Sequence, residues 1–155
     1  DMIDASAMLW RLQLRGILVG HRWHSLAERW LAASAESTYA FNDMHAMMSF
    51  VGAGRDGDAS RLLQAQRDAL AADSDNRSFL REVGIPATES IHDFAHGNYA
   101  QVVEKLRSVR PVASRFGGSH AQRDLIDLTL IEAATRVGDA PLADALRRER
   151  AFVKH

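Results

Sequence analysis

Apolar residues along the chain recur with the 3.6-residue period of α-helices, and few segments alternate as β-strands do. The clearest stripe falls at positions i, i+3, i+4 and i+7, as Met44, Met47, Met48 and Val51. Helix-forming residues dominate nearly every segment, and the 3 prolines lie at plausible helix margins. The pattern therefore predicts an all-α protein.

Glycine, proline and polar N-cap residues divide this pattern into about nine helices. The helices are predicted at residues 4–15 before Gly16; 22–35, with Ser25 as an alternative start; from Asn42 to Gly52; from Asp58 past Leu70; from Ser74 or Asp75 to Gly84; from Pro86 to Gly97; from Asn98 to Pro111; from the capping box at 119–122 to Gly138; and from Asp139 toward the C-terminus.

A glycine followed by Asp or Asn recurs in the chain with a regular period. The pairs at 57–58, 97–98 and 138–139 are separated by 40 and 41 residues, and residues 16–20 lie about one period earlier. Such a glycine ends one helix in the left-handed conformation, and the Asp or Asn caps the next. Because one hairpin cannot bury its apolar face alone, the period predicts about four stacked hairpins in a single domain, residues 1–155.

Composition narrows the classes of function. The chain of 155 residues has no cysteine, which excludes disulfides and thiolate chemistry and fits a cytoplasmic location. A formal net charge of -1 and the lack of a long apolar run disfavour nucleic-acid and membrane partners. No pattern of metal ligands or cofactor-binding residues stands out, so we expect neither a metal nor a cofactor.

Several segments resemble known repeat proteins. Residues 97–99 and the apolar positions after them are similar to the turn and second helix of a tetratricopeptide repeat. Residues 9–12, 39–48 and 115–124 resemble segments of the tetratricopeptide repeat protein 38 family, and the resemblance extends in order across nearly all of the chain. It implies a tetratricopeptide-like superhelix that corresponds to the C-terminal part of a longer protein, in a family without an established biochemical activity.

The start of the eighth predicted helix carries the first candidate site. Two glycines at 117–118 lead into Ser119, His120, Arg123 and Asp124. Free N–H groups and the positive end of a helix dipole favour an anion, and His120 and Arg123 can add donors. The same residues also form a capping box and an ordinary loop, so the two interpretations stay open.

The start of the third predicted helix carries a second polar cluster, Asn42, Asp43 and His45. If the hairpins stack regularly, both clusters line the concave surface of the superhelix. The sequence therefore predicts a scaffold that binds a protein segment, from a partner or from its own longer chain, along a concave groove. The alternative is an enzyme or a small anionic ligand-binding domain, in which His45 and His120 converge with Asp43, Arg123 and Asp124 as acid, base or anion contacts.

Overall fold

Helices make up nearly all of the described chain, which comprises residues 1–33, 40–72, 77–116 and 119–153 of the computed structural model. The longer helices are α1 (Met2–Leu14), α2 (Arg22–Ala33), α3 (Ala40–Gly52), α4 (Asp56–Ala71), α6 (Ile85–Ala95), α7 (Tyr99–Val109), α8 (His120–Arg136) and α9 (Ala140–Val153), and α5 (Arg77–Phe79) is a single turn. No strand occurs within these ranges, so the all-α prediction is confirmed. The predicted caps Ser74 and Asp75, the helix end at Ala35 and the glycines at 117–118 lie outside the described residues.

Two predicted helices join into one helical path. A π-helical turn, Leu80–Gly84, connects α5 to α6, whose first turn contains Pro86. Proline lacks an N–H and crowds the preceding turn, and the wider π-turn accommodates that loss. The Thr88 hydroxyl donates a hydrogen bond to the Gly84 carbonyl at 2.9 Å. Gly84 therefore lies within the helical path instead of ending a helix.

The same turn ends α1, α3, α6 and α8. Each turn glycine has a positive φ of 71° to 81°, and its N–H bonds to the carbonyl three residues earlier. The next N–H bonds to the carbonyl five residues before it, at 2.8 to 3.0 Å in every case. The turn glycines are Gly16, Gly54, Gly97 and Gly138. Four copies of one hydrogen-bond pattern confirm that the chain is built from helical hairpins.

One predicted turn lies at a different glycine. Gly54, and not Gly57, has the left-handed conformation, and α4 begins at Asp56, before the predicted cap Asp58. The Asp58 carboxylate is buried and binds the guanidinium groups of Arg55, at 2.7 Å, and Arg61. A charge-assisted pair is stronger than a hydrogen bond to a neutral backbone N–H, which explains why Asp58 binds arginines instead of capping.

The helices form an inner and an outer set. The inner helices are α1, α3, α6 and α8, and the outer helices are α2, α4, α7 and α9. Within the stack, each inner helix packs against the outer helix of its own hairpin and against the next inner helix. The outer helices α2, α4 and α7 also pack against the inner helix of the following hairpin. This succession of contacts is that of a helical repeat.

The stack also closes on itself, because α1 packs against α8. Trp10 of α1 is fully buried, and its Nε1 donates a hydrogen bond to the Thr129 Oγ1 of α8 at 3.0 Å. Its ring meets the ring of Phe94 in α6 edge to face, with centroids 5.6 Å apart. The four inner helices thus surround a packed centre, where the sequence led us to expect an open concave groove.

A tryptophan also fixes the contact between the first two hairpins. Trp23 of α2 lies against Gly52 of α3, where a Cβ would come within 2.5 Å of the indole ring. The Trp23 Nε1 donates to Gln13 Oε1 at 2.9 Å, which holds the ring in place. Gly52 therefore provides the space for the Trp23 ring.

We predict that Gly52→Ala destabilises the protein by about 1–3 kcal/mol, because the new methyl group overpacks the Trp23 contact. Gly57→Ala is the matched control, since its Cβ would meet only the end of the Arg61 side chain, at 3.8 Å. In the first turn of α4 we expect this change to be neutral or to stabilise by up to about 1 kcal/mol. Urea unfolding measures both, and equal effects of the two substitutions would contradict the packing argument.

Candidate functional site

The structure separates the predicted site residues into two places. His120, Arg123 and Asp124 lie in the first turns of α8 and line an open cleft. Asp43 and His45 lie on α3 and are buried. Asn42 is partly buried in the first turn of α3, and Ser119 is exposed directly before α8.

The cleft lies between α8, α9 and the 3-10 helix of residues Arg110–Phe116, which continues from α7. We call it the polar cleft, and its volume is about 480 Å³. Its lining residues are Arg110, Pro111, Ala113, Ser114, His120, Arg123, Asp124, Ile126, Asp127, Arg150 and Val153. The cleft thus combines guanidinium groups with an apolar surface.

Ion pairs hold the walls of the polar cleft together. Arg150 of α9 binds the buried carboxylate of Asp124 through two hydrogen bonds of 2.8 Å, from Nε and Nη2. Arg110 donates to Asp127 of α8 at 2.8 Å and to Glu149 of α9 at 2.5 Å. Donating these hydrogen bonds to the Asp124 carboxylate raises the pKa of Arg150 further above its ordinary value. These pairs fasten α9 and the 3-10 helix to α8.

The geometry of the polar cleft favours recognition over chemistry. Arg110 and Arg150 bind carboxylates, so they position the helices and present only their remaining N–H groups. His120 is exposed at the edge of the cleft, and His45 is absent from its lining. The polar cleft therefore offers hydrogen-bond donors to a carboxylate or a peptide carbonyl.

His45 is part of the core. Its side chain is fully buried, and its Nδ1 lies 2.8 Å from the Phe41 carbonyl, to which the neutral ring donates. Burial lowers the pKa of His45 to about 4. The Nε2 atom is buried without a hydrogen-bond partner among the described residues. His45 was predicted to lie on an open groove or in one pocket with His120. Its buried position excludes both roles.

Asp43 joins a buried polar cluster with two residues that sequence reasoning missed. Gln66 of α4 donates through Nε2 to Asp43 Oδ2 at 3.2 Å and to Thr88 Oγ1 at 3.0 Å. Burial raises the pKa of Asp43 to about 6, and the hydrogen bond from Gln66 opposes that rise. This cluster ties α3, α4 and α6 together, and Asp43 is not available to a partner on the surface.

Sequence signals for the missed residues exist but are weak. Gln66 lies one turn after Leu62 on the apolar face of α4, where a polar residue needs a buried partner. Arg110 and Arg150 carry no comparable signal, because an arginine near a helix end is usually solvated. Only the contacts between distant segments reveal that both arginines line the polar cleft.

The described residues contain no cluster of side chains that could form a metal site. Nowhere in these ranges do three or more His, Asp or Glu side chains gather in a way that could hold a metal ion. None of the helices in the same part of the chain is both long and apolar enough to cross a membrane.

No known protein family and no solved structure matches this chain. The resemblance to the tetratricopeptide repeat protein 38 family therefore remains a prediction. Function has to be argued from the geometry of the chain itself.

We predict opposite effects of Asp43 and His45 on stability as the pH falls. The folded protein binds a proton at Asp43 near pH 6, whereas the unfolded chain does so near pH 3.8, so acidification stabilises the fold in that window. His45 does the reverse, since the unfolded chain binds its proton near pH 6.5 and the folded protein near pH 4. Each contribution is about 3 kcal/mol, so the two nearly cancel.

Single substitutions separate the two contributions. Between pH 7 and pH 4, Asp43→Asn should lose about 3 kcal/mol relative to wild type, and His45→Asn should gain about 3 kcal/mol. The free energy of unfolding in urea, measured at both pH values, gives these differences independently of each variant's stability at pH 7. Parallel pH profiles for wild type and both variants would contradict the buried positions of the two side chains.

Proposed function

We propose that this chain is a helical-repeat scaffold that binds a polypeptide segment, either of a partner protein or of another part of a longer chain. The binding site is the polar cleft, with His120, Arg123 and Asp124 at its α8 side, directly after the exposed Ser119. Asn42, Asp43 and His45 are left out, because the latter two are buried and the inner helices close on each other.

The observation that carries the proposal is the mixed surface of the polar cleft. Arg110, Arg123 and Arg150 line it together with Ile126 and Val153. Val153 is 62% exposed, and the adjoining Phe152 is 85% exposed. Arginine and exposed apolar side chains in one place are typical of surfaces that bind polypeptides. The expected segment carries a carboxylate for the arginines and an apolar side chain for the end of α9.

The alternatives are less well supported by the geometry. A small anion would be held by the guanidinium groups alone, and Arg110 and Arg150 already bind carboxylates, whereas a polypeptide segment also contacts the apolar lining. An enzyme built on His45 and His120 needs both rings in one pocket, whereas His45 is fully buried and does not line the polar cleft. A scaffold requires neither condition.

Random peptides of about 12 residues, displayed on phage, test the proposal when they are selected on the full chain. We expect peptides that combine acidic and apolar residues, with affinity lowered about tenfold by Arg123→Ala or His120→Ala. The matched control is Arg148→Ala, an exposed arginine on α9 that is not among the residues lining the polar cleft.

Circular dichroism establishes that each variant is folded before its affinity is measured. If Arg148→Ala lowers the affinity as much as the two cleft substitutions do, binding reflects nonspecific charge attraction and the proposal is overturned. If neither Arg123→Ala nor His120→Ala changes the affinity of the selected peptides, the proposed location of the binding site is overturned. A selection without enrichment would argue against polypeptide binding by this surface.

A further inference from the structure

A second cleft lies between α1, α8 and α9, with a volume of about 370 Å³. We call it the arginine slot, and its lining residues are Arg11, Leu14, Arg15, Leu128, Ile131, Glu132, Arg147 and Arg150. Three of these side chains are apolar and four are arginines. The arginine slot therefore combines an apolar floor with a strongly basic rim.

The charge of the arginine slot differs from that of the whole chain, whose formal net charge is -1. Its single acidic lining residue, Glu132, already pairs with Arg136 at 3.0 Å. Arg15 is exposed on α1, and Arg147 forms an exposed ion pair with Asp144 of its own helix, at 3.2 Å. Arg150 is neutralised by Asp124, whereas Arg11 donates to the uncharged Ala121 carbonyl, so the net positive charge of the slot comes from Arg11 and Arg15 and favours an acidic occupant.

The position of the arginine slot in the repeat indicates the shape of that occupant. In α3, the residue two positions before the turn glycine Gly54 is Gly52. The ring of Trp23, which belongs to the preceding outer helix, lies on it. The corresponding residue of α8 is Arg136, which donates to the Tyr99 hydroxyl at the start of the preceding outer helix, at 2.7 Å. In α1 the corresponding residue is Leu14, which lines the slot. The slot thus lies where an outer helix packs on α3 and α8.

Exposure along α1 leads to the same conclusion. Eight residues before the turn glycine, Ala46 of α3 is 2% exposed and Leu130 of α8 is fully buried. The corresponding residue of α1 is Met8, which is 59% exposed. At this position α1 is therefore open where α3 and α8 are covered.

We propose that the arginine slot binds an acidic amphipathic helix of a partner protein, in the place on α1 that α2 occupies on α3. Leu128 and the accessible edges of the mostly buried Leu14 and Ile131 would receive the apolar face of that helix, and the arginines would bind its carboxylates. The inference rests on the proposed function, polypeptide binding, and names a second surface and the chemistry of its partner.

Two synthetic peptides of about 15 residues test the inference on the full chain. The first places leucines at i, i+3, i+4 and i+7 of a helix and flanks them with glutamates, and the second replaces every glutamate with lysine. We expect only the glutamate peptide to bind, as measured by fluorescence anisotropy. Arg123→Ala in the polar cleft should leave this binding unchanged, so failure of one site is distinguishable from failure of the other.

Paired charge reversals give the matched comparison. Arg15→Glu with Arg147→Glu reverses two slot residues and should weaken binding at least about tenfold. Arg107→Glu with Arg148→Glu makes the same change in net charge at exposed positions outside the slot, and should change the affinity less than about twofold.

Several results would overturn the inference. These are no measurable binding of the glutamate peptide, equal binding of the lysine peptide, and equal weakening by both paired reversals. Sedimentation of the chain alone gives a further test. The chain alone could sediment as a dimer that becomes monomeric when Arg15→Glu and Arg147→Glu are introduced together. That result would assign the slot to a second copy of this chain instead of a partner helix.

Discussion

The contact of Trp10 with α6 and α8 is the constraint on which the rest of the structure depends. A stack of hairpins needs only contacts between neighbours, and the turn glycines supply the reversals. Trp10 adds a contact across more than one hundred residues, because its indole N–H binds Thr129 and its ring meets Phe94. Burying a large ring together with its one polar atom is favourable only when the partner is in place. The inner helices therefore close around Trp10.

Closure changes where the molecule can bind a partner. The inner helix faces are occupied by each other, so the polar side chains on α3 become core groups, with Asp43 held by Gln66. The polar cleft and the arginine slot both lie along α8 and α9, and Arg150 borders both. The two surfaces proposed for binding therefore lie on the last hairpin and at the seam between α1 and α9. Arg110 and Arg150, which fix α9 in place, also line the polar cleft.

Local sequence rules predicted the helices and most of the turns, because glycine conformations and apolar periodicity are properties of neighbouring residues. They predicted a turn at Gly57, whereas Gly54 forms it, since Asp58 binds Arg55 and Arg61 instead of capping a helix. They predicted His120 and His45 as equivalent site residues, although only one is exposed. The difference arises from the packing of α3 among α1, α2, α4 and α6, because contacts between separate helices are not encoded in periodicity. The α8 half of the candidate site was therefore predictable from the sequence, whereas Arg110 and Arg150 were not.

The separation of α1 and α8 in solution tests the closure most directly. The chain has no cysteine, so spin labels at Met8→Cys and Ala121→Cys report one distance, near the contact of Arg11 with the Ala121 carbonyl. Double electron–electron resonance should give a single short and narrow distance distribution, which broadens and lengthens when Trp10→Ala is added. A long or broad distribution that is the same with and without Trp10 would show that the stack is open.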